Sequence, residues 1–302
     1  MKSKTMPFDA IENYIKKVHE TFSTFNPFYI ISGDTDLENQ SSINHYRKAS
    51  HLLRHLAPDC LQSYHIRGRM VELPEEIIDE IDFYMYQTGH SAKESDKEMC
   101  YQMPEYFLTN YPVKPLINSE PCYESIGYAG NMYGRFHQFD IRRAAWQSLL
   151  AGASAGITYG AGGVYSWHEY GKHFSPCIGE GFDMPHPWQI ALHYPGAWDY
   201  SDIKHIFCEY KITDLNPRQD ILLNETKEIR IAEYQNRYFI YVPENTTIKL
   251  KIDINDIESI TILDLETRRK EIGNKYKKDG ICCLEMHTFG HDVLYIVELK
   301  NI

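Results

Sequence analysis

The chain has 302 residues, 42 of them acidic against 31 basic, and its net charge of −11 is interrupted only by the short Lys275-Tyr-Lys-Lys278 run, which argues against a nucleic-acid partner. Hydrophobic content of 43% with 24% charge is ordinary for a soluble globular protein and excludes wholesale disorder. No run approaches the ~18 apolar residues of a membrane span, and the opening Met1 to Ala10 lacks a leader's apolar core, so no membrane partner and a cytoplasmic location are expected.

From Pro7 to Phe25 apolar residues recur at helical spacing, which predicts an amphipathic helix ended by Asn26-Pro27. Phe28 to Asp34 is a continuous apolar run of the kind buried on both faces of a parallel sheet. A helix around Ile43 to Leu56 follows. The same alternation then repeats: strand Leu61 to Ile66, short helix Leu73 to Ile81, strand Phe83 to His90, helix Lys97 to Tyr111 despite Pro104, and strand Leu116 to Glu120, stopped by Pro121. Asp140 is the expected N-cap of a helix over Ile141 to Ala153, and Gly156 to Gly160 the fifth strand. The glycine-rich Gly160 to Gly163 leads into Val-Tyr-Ser-Trp, which does not read as a helix start or a phosphate cradle.

A last helix is expected over Asp202 to Tyr210 and a boundary at Asp214 to Pro217. Beyond it the period changes to two: the runs 228–232, 238–242, 247–252, 259–263 and 293–297 are short and β-branched, with turns at Pro243, Asn274 and Asp279-Gly. The fold class is therefore α/β, with a barrel-type parallel unit over 1–215 and an all-β sandwich over 216–302. The seven cysteines (60, 100, 122, 177, 208, 282, 283) lack CxxC or CxxH spacing, so free thiols and no zinc site are expected.

The five strands carry polar groups at or near their exits: Asp34, His65, Gln87 with His90, Glu120, and Tyr159 with Trp167. That convergence selects a (β/α) barrel, whose chemistry sits at the C-terminal rim. Two carboxylates, Asp34 and Glu120, facing each other there are what glycoside hydrolysis needs: one protonates the leaving oxygen, the other attacks the anomeric carbon or activates water. Asn118 and Tyr123 are candidate hydrogen-bond donors to Glu120, and Glu124 is its competitor for the role. His65, Gln87, His90, Tyr123, Tyr159 and Trp167 are candidate substrate-binding residues, the aromatic rings as sugar platforms. A metal-dependent hydrolase using Asp34, His65, His90 and Glu120 ranks lower, because no HxH or HExxH spacing is present, so no metal and no cofactor are expected. Arg142 and Arg143 are assigned to helix packing and ion pairs.

The segments Tyr29-Ile-Ile-Ser-Gly-Asp34, Tyr86-Gln-Thr-Gly-His90, Asn118-Ser-Glu-Pro-Cys-Tyr-Glu124, Asp140-Ile-Arg-Arg-Ala-Ala-Trp146 and Ala151 to Ala161 together resemble the apiosidase-like glycoside hydrolases, over roughly residues 10 to 300. That resemblance implies a (β/α)8 TIM-type barrel followed by a small β domain that carries a collagen-binding label. It places Asp34 at the acid/base position after the fourth strand and Glu120 at the nucleophile position after the seventh. Gly162 and Tyr165 stand where that family usually has a histidine and a tryptophan, a departure that bears on sugar specificity.

The resemblance also implies a partial barrel, strands 4 to 8, in an N-terminally truncated chain. Exposed barrel edges would then favour self-association. The leading expectation is a glycoside hydrolase acting on a plant or bacterial polysaccharide-derived bond with a carbohydrate as its partner, its activity in this truncated form left open. The other is a non-catalytic carbohydrate-binding or remnant protein. Partial burial of Asp34 beside Glu120 is expected to raise its pKa and fit it to be the acid.

Overall fold

A computed structural model describes residues 6–174 and 183–300. In chain order the first part runs α1 (Ala10–Phe22), β1 (Tyr29–Ile30), α2 (Gln40–Leu56), β2 (Gln62–Ser63), α3 (Glu75–Ile78), β3 (Tyr84–Gln87), α4 (Glu94–Lys97), α5 (Met99–Asn110), β4 (Leu116–Glu120), α6 (Gln138–Leu150), β5 (Gly156–Ile157), α7 (Gly162–Tyr165), α8 (Trp188–Ala191) and α9 (Gly196–Glu209). The second part is β6 (Asn216–Pro217), β7 (Arg230–Tyr234), β8 (Arg237–Val242), β9 (Ile248–Leu250), β10 (Ile257–Asp264), β11 (Lys270–Ile272), β12 (Lys275–Lys278), β13 (Ile281–Leu284) and β14 (Val293–Leu299).

The five early strands are parallel and lie side by side in chain order. β1 pairs with β2, single bridges tie Thr35 to Ile66 and His65 to Met85, and β3 pairs with β4 and β4 with β5. This mixed α/β arrangement puts their exits in one row. Expected and observed elements differ at several ends. The first strand keeps ladder pairing only at Tyr29 and Ile30, and the fifth only at Gly156 and Ile157. α6 starts earlier than expected: Asp140 is not its N-cap but sits in its first turn, where the carboxylate accepts the His137 N–H at 2.8 Å in a capping box. α7 forms where no helix start was read, and α9 begins at Gly196 rather than Asp202. Cys177 lies outside the described residues, and the six described cysteines are free thiols. Among the described residues no helix is long and apolar enough to cross a membrane.

The later strands form a six-stranded sheet, β11-β10-β14-β8-β7-β6, and a three-stranded sheet, β12-β13-β9. Asp279 and Gly280, both at positive φ (51° and 84°), make the tight turn between β12 and β13. Strict alternation lets the large sheet bury both faces. Tyr238, Ile240, Val242, Val293, Tyr295 and Val297 pack toward Ile248, Leu250, Cys282 and Leu284 of the small sheet. Their neighbours Phe239, Tyr241, Leu294 and Ile296 pack on Trp146 and Leu149 of α6 and Ile203 and Ile206 of α9.

A buried ion network closes that second interface. Arg142 on α6, 1% exposed, donates to Asp292, which immediately precedes β14, to Asp199 of α9 and to Glu266, and Tyr241 Oη donates to Asp292 at 3.1 Å. Removing one member of such a buried pair costs about 3–5 kcal/mol, because the partner charge stays desolvated. The packing role assigned to Arg142 is thus the observed one. A cavity of about 390 Å³ opens beside it, walled by Phe139, Asn245 and Phe289.

Among the described residues no strand pairs with the outer side of β1, and Phe25 (76% exposed), Phe28 (65%) and Ile30 (42%), in β1 or just before it, are exposed apolar side chains. We expect the isolated chain to self-associate there. Sedimentation velocity tests this: concentration-dependent assembly that falls when Phe25 and Phe28 are replaced by Ser is predicted, and a sharp monomer boundary at all concentrations would contradict it.

Candidate active site

Glu120 ends β4, and its position depends on a bulge. In the β3–β4 register Tyr86 opposes Asn118 but Gln87 opposes Glu120, so Ser119 is an extra residue. The bulge breaks the alternation that would otherwise put Asn118 and Glu120 on one face. Asn118 turns into the protein and donates to Ser148 of α6 (3.0 Å) and Thr88 (3.4 Å), so it is not the donor to Glu120 that the sequence suggested. Ser119 and Glu120 both reach toward His65. The β3 exit wraps this point: Thr88 and Gly89 donate their N–H groups to the Glu120 carbonyl at 3.2 and 3.1 Å.

Two imidazoles hold the Glu120 carboxylate. His65 Nε2 lies 3.2 Å from Oε2 and His90 Nε2 lies 3.0 Å from Oε1. His90 accepts the Tyr123 N–H on Nδ1 at 3.4 Å, and since a backbone N–H can only donate, His90 carries its proton on Nε2 and gives it to Glu120. Burial pushes the Glu120 pKa up, but the hydrogen bonds from His65 and His90 outweigh it and hold the group at about 2. Glu120 is therefore an ionised, fully hydrogen-bonded carboxylate.

Asp34 follows β1 through Gly33 and sits at positive φ (30°), a conformation Asp tolerates better than most residues. Arg67 donates its N–H to the Thr35 carbonyl (2.9 Å), tying this loop to the β2 exit beside His65. Asp34 Oδ1 is 3.4 Å from His65 Nε2 and accepts from Gln87 Nε2, which also donates to the Ile66 carbonyl at 2.8 Å. One nitrogen of His65 and one oxygen from each of Asp34 and Glu120 all lie within 4.8 Å of one another. One expectation fails: the Asp34 side chain is 68% exposed, not partly buried. These three groups are also the set that could approach a common cation, but their hydrogen bonds to one another already account for the contacts.

Of the remaining candidates, Tyr123 joins the cluster through its ring, which lies 4.5 Å from the His90 ring and 5.7 Å from Tyr165. Burial and then the Glu120 charge push its phenol pKa up. Gly160 makes room for it, since a Cβ there would stand 2.1 Å from the Tyr123 ring. Tyr159 and Trp167 are not brought to the carboxylate pair. Tyr159 Oη donates to Glu124 at 2.6 Å. Glu124, 4% exposed, accepts the Gly196 N–H at the start of α9, so it is a buried structural carboxylate rather than a rival to Glu120. Trp167, 61% exposed, stacks on Trp188 at 4.8 Å with the planes 8° apart. Sequence reasoning missed Ser119, whose only signal was its place in the Asn-Ser-Glu segment, and Trp188, which reaches Trp167 through space.

The sequence profile described as the apiosidase-like catalytic domain matches residues 1–214. The chain belongs to the apiosidase-like family. Solved structures similar to this apiosidase-like chain include one described as a glycoside hydrolase (TM-score 0.81, 18% identity, covering 97% of this chain and 69% of that one). Another is a glycoside hydrolase family 5 protein from Bacteroides vulgatus (TM-score 0.82, 20% identity, 97% and 66%). The likeness establishes a shared fold, and the apiosidase-like chain spans about two thirds of their length. No curated protein matched in sequence.

A lowered carboxylate pKa stabilises the fold above the unfolded value of 4.5, and that contribution is lost as pH falls through about 2. The stability difference between the wild type and Glu120→Gln, read by chemical denaturation, should thus shrink as pH falls below 4.5. A difference that stays flat across that window would contradict the two-imidazole account.

Proposed function

We propose that this chain is a retaining glycoside hydrolase with Glu120 as nucleophile and Asp34 as acid/base. The observation that carries the reading is the approach of the two carboxylates, one oxygen of each lying within 4.8 Å of the other, with His65 Nε2 in contact with both. Retaining enzymes keep their carboxyl groups about 5–5.5 Å apart, whereas inverting ones leave about 6.5–9.5 Å for a water. The five parallel segments are read as strands 4 to 8 of a (β/α)8 barrel, with the site at its C-terminal rim.

In the first step Glu120 attacks the anomeric carbon while Asp34 gives a proton to the departing glycosidic oxygen, leaving a glycosyl ester on Glu120. In the second, Asp34 takes a proton from water, the hydroxyl adds to the anomeric carbon, and Glu120 leaves as carboxylate with the original configuration restored. His90 and Gln87 orient the two carboxylates. Tyr123 and Tyr165 flank the site, and the exposed Trp167–Trp188 stack is a platform for a further sugar of a polysaccharide-derived substrate.

Glu120→Gln should abolish turnover of every substrate. Asp34→Asn should slow natural linkages by about 10²–10⁴-fold while sparing aryl glycosides with good leaving groups. Retention should be visible by proton NMR of the first-formed anomer. Near-normal rates in Glu120→Gln together with inhibition by a chelator would replace this reading with a metal-dependent one.

A further inference from the structure

His65 has a hydrogen-bond pattern that fixes where its protons are. Ser119 Oγ lies 3.0 Å from the Tyr86 carbonyl, which can only accept, so the one hydroxyl proton goes there. The same Oγ is 3.1 Å from His65 Nδ1 and must accept from it, so Nδ1 carries a proton. On the other side of the ring Nε2 faces Glu120 Oε2 at 3.2 Å and Asp34 Oδ1 at 3.4 Å. Gln87 Nε2, 2.9 Å away, has two protons for three neighbours, Asp34, the Ile66 carbonyl and His65 Nε2, and no lone pair to offer. Two carboxylate oxygens this close to Nε2 favour a second proton there, shared among one imidazole nitrogen and two carboxylates.

We propose that His65 is a protonated bridge between Asp34 and Glu120 and the store of the proton that Asp34 delivers. The second half of this rests on the glycosidase reading; the first does not. During glycosyl transfer the Nε2 proton moves to Asp34 Oδ1 and from there to the leaving oxygen, leaving His65 neutral, its remaining proton on Nδ1 and donated to Ser119 Oγ. In the hydrolytic step the proton Asp34 takes from water returns to Nε2, so the cycle closes without an outside donor. Such a store answers the exposure of Asp34, whose side chain lacks the burial that commonly keeps a catalytic acid protonated.

Among the described residues the charged groups facing His65 are Asp34 from the β1 exit and Glu120 from β4; His90 and Tyr123 are linked to it through Glu120. Hydrogen bonding to Glu120 raises the His65 pKa above 6.5, burial opposes it, and the charges of Glu120 and Asp34 add to the rise. His65 acts through Asp34 and is thus a positioning residue.

The test is nitrogen-detected NMR of the imidazoles across a pH titration. Both His65 nitrogens should be protonated at neutral pH, and the midpoint should fall by about one unit or more in Glu120→Gln and in the exposed-site variant Asp34→Asn. A His65 with a bare Nε2 at neutral pH, or a midpoint indifferent to both variants, overturns the bridge. For the relay, Ser119→Ala removes the acceptor of the Nδ1 proton, so the basic limb of kcat on a phenyl glycoside, a poor leaving group, should move down together with the NMR midpoint. A limb that stays in place while the midpoint moves overturns the relay and leaves the Glu120 nucleophile untouched.

Discussion

The hydrogen bonds from two imidazoles to one carboxylate set the terms for the whole site. Glu120 is mostly buried, and burial alone would raise its pKa. His65 and His90 reverse that, and each comes from a different strand exit, so the arrangement exists only if β2, β3 and β4 run parallel, adjacent and in register. The bulge at Ser119 then decides which way Glu120 faces. A one-residue slip would exchange Glu120 with its neighbour and leave the imidazoles without a partner.

The rest of the chain bears on that register from a distance. Asn118, two residues before Glu120, is held by Ser148 of α6, and α6 is itself clamped by Trp146 and Leu149 against the large C-terminal sheet and by Arg142 against Asp292 and Asp199. The sheet is more than an appendage. Its second face supplies apolar surface and buried charge that α6 would otherwise expose to water, so loosening it should be felt at β4.

What the sequence revealed followed from local rules. Pro121 marks the end of β4 and so puts Glu120 at an exit, the apolar runs mark parallel strands, and alternation in 238–242 and 293–297 marks a sheet with two buried faces. Asp34, His65, Gln87, His90 and Tyr123 could be named because they follow such runs. Residues whose place depends on contacts across the chain were not legible. The bulge arises from β3–β4 pairing, so Asn118 was misread as a donor to Glu120. The exposure of Asp34, in the loop after β1, was not legible either. Tyr159 was drawn to Glu124 and the start of α9, where Gly196 lets the carboxylate approach, since a Cβ there would stand 2.5 Å from Oε2.

The central claim is that Glu120 attacks carbon. Incubating the protein with 2-deoxy-2-fluoroglycosyl fluorides slows breakdown of a glycosyl ester enough to isolate it, and peptide mass spectrometry locates the bond. The account predicts one added sugar per chain, on the peptide carrying Glu120. A label on any other carboxylate, or turnover of the same sugar series with an inverted product, would contradict it.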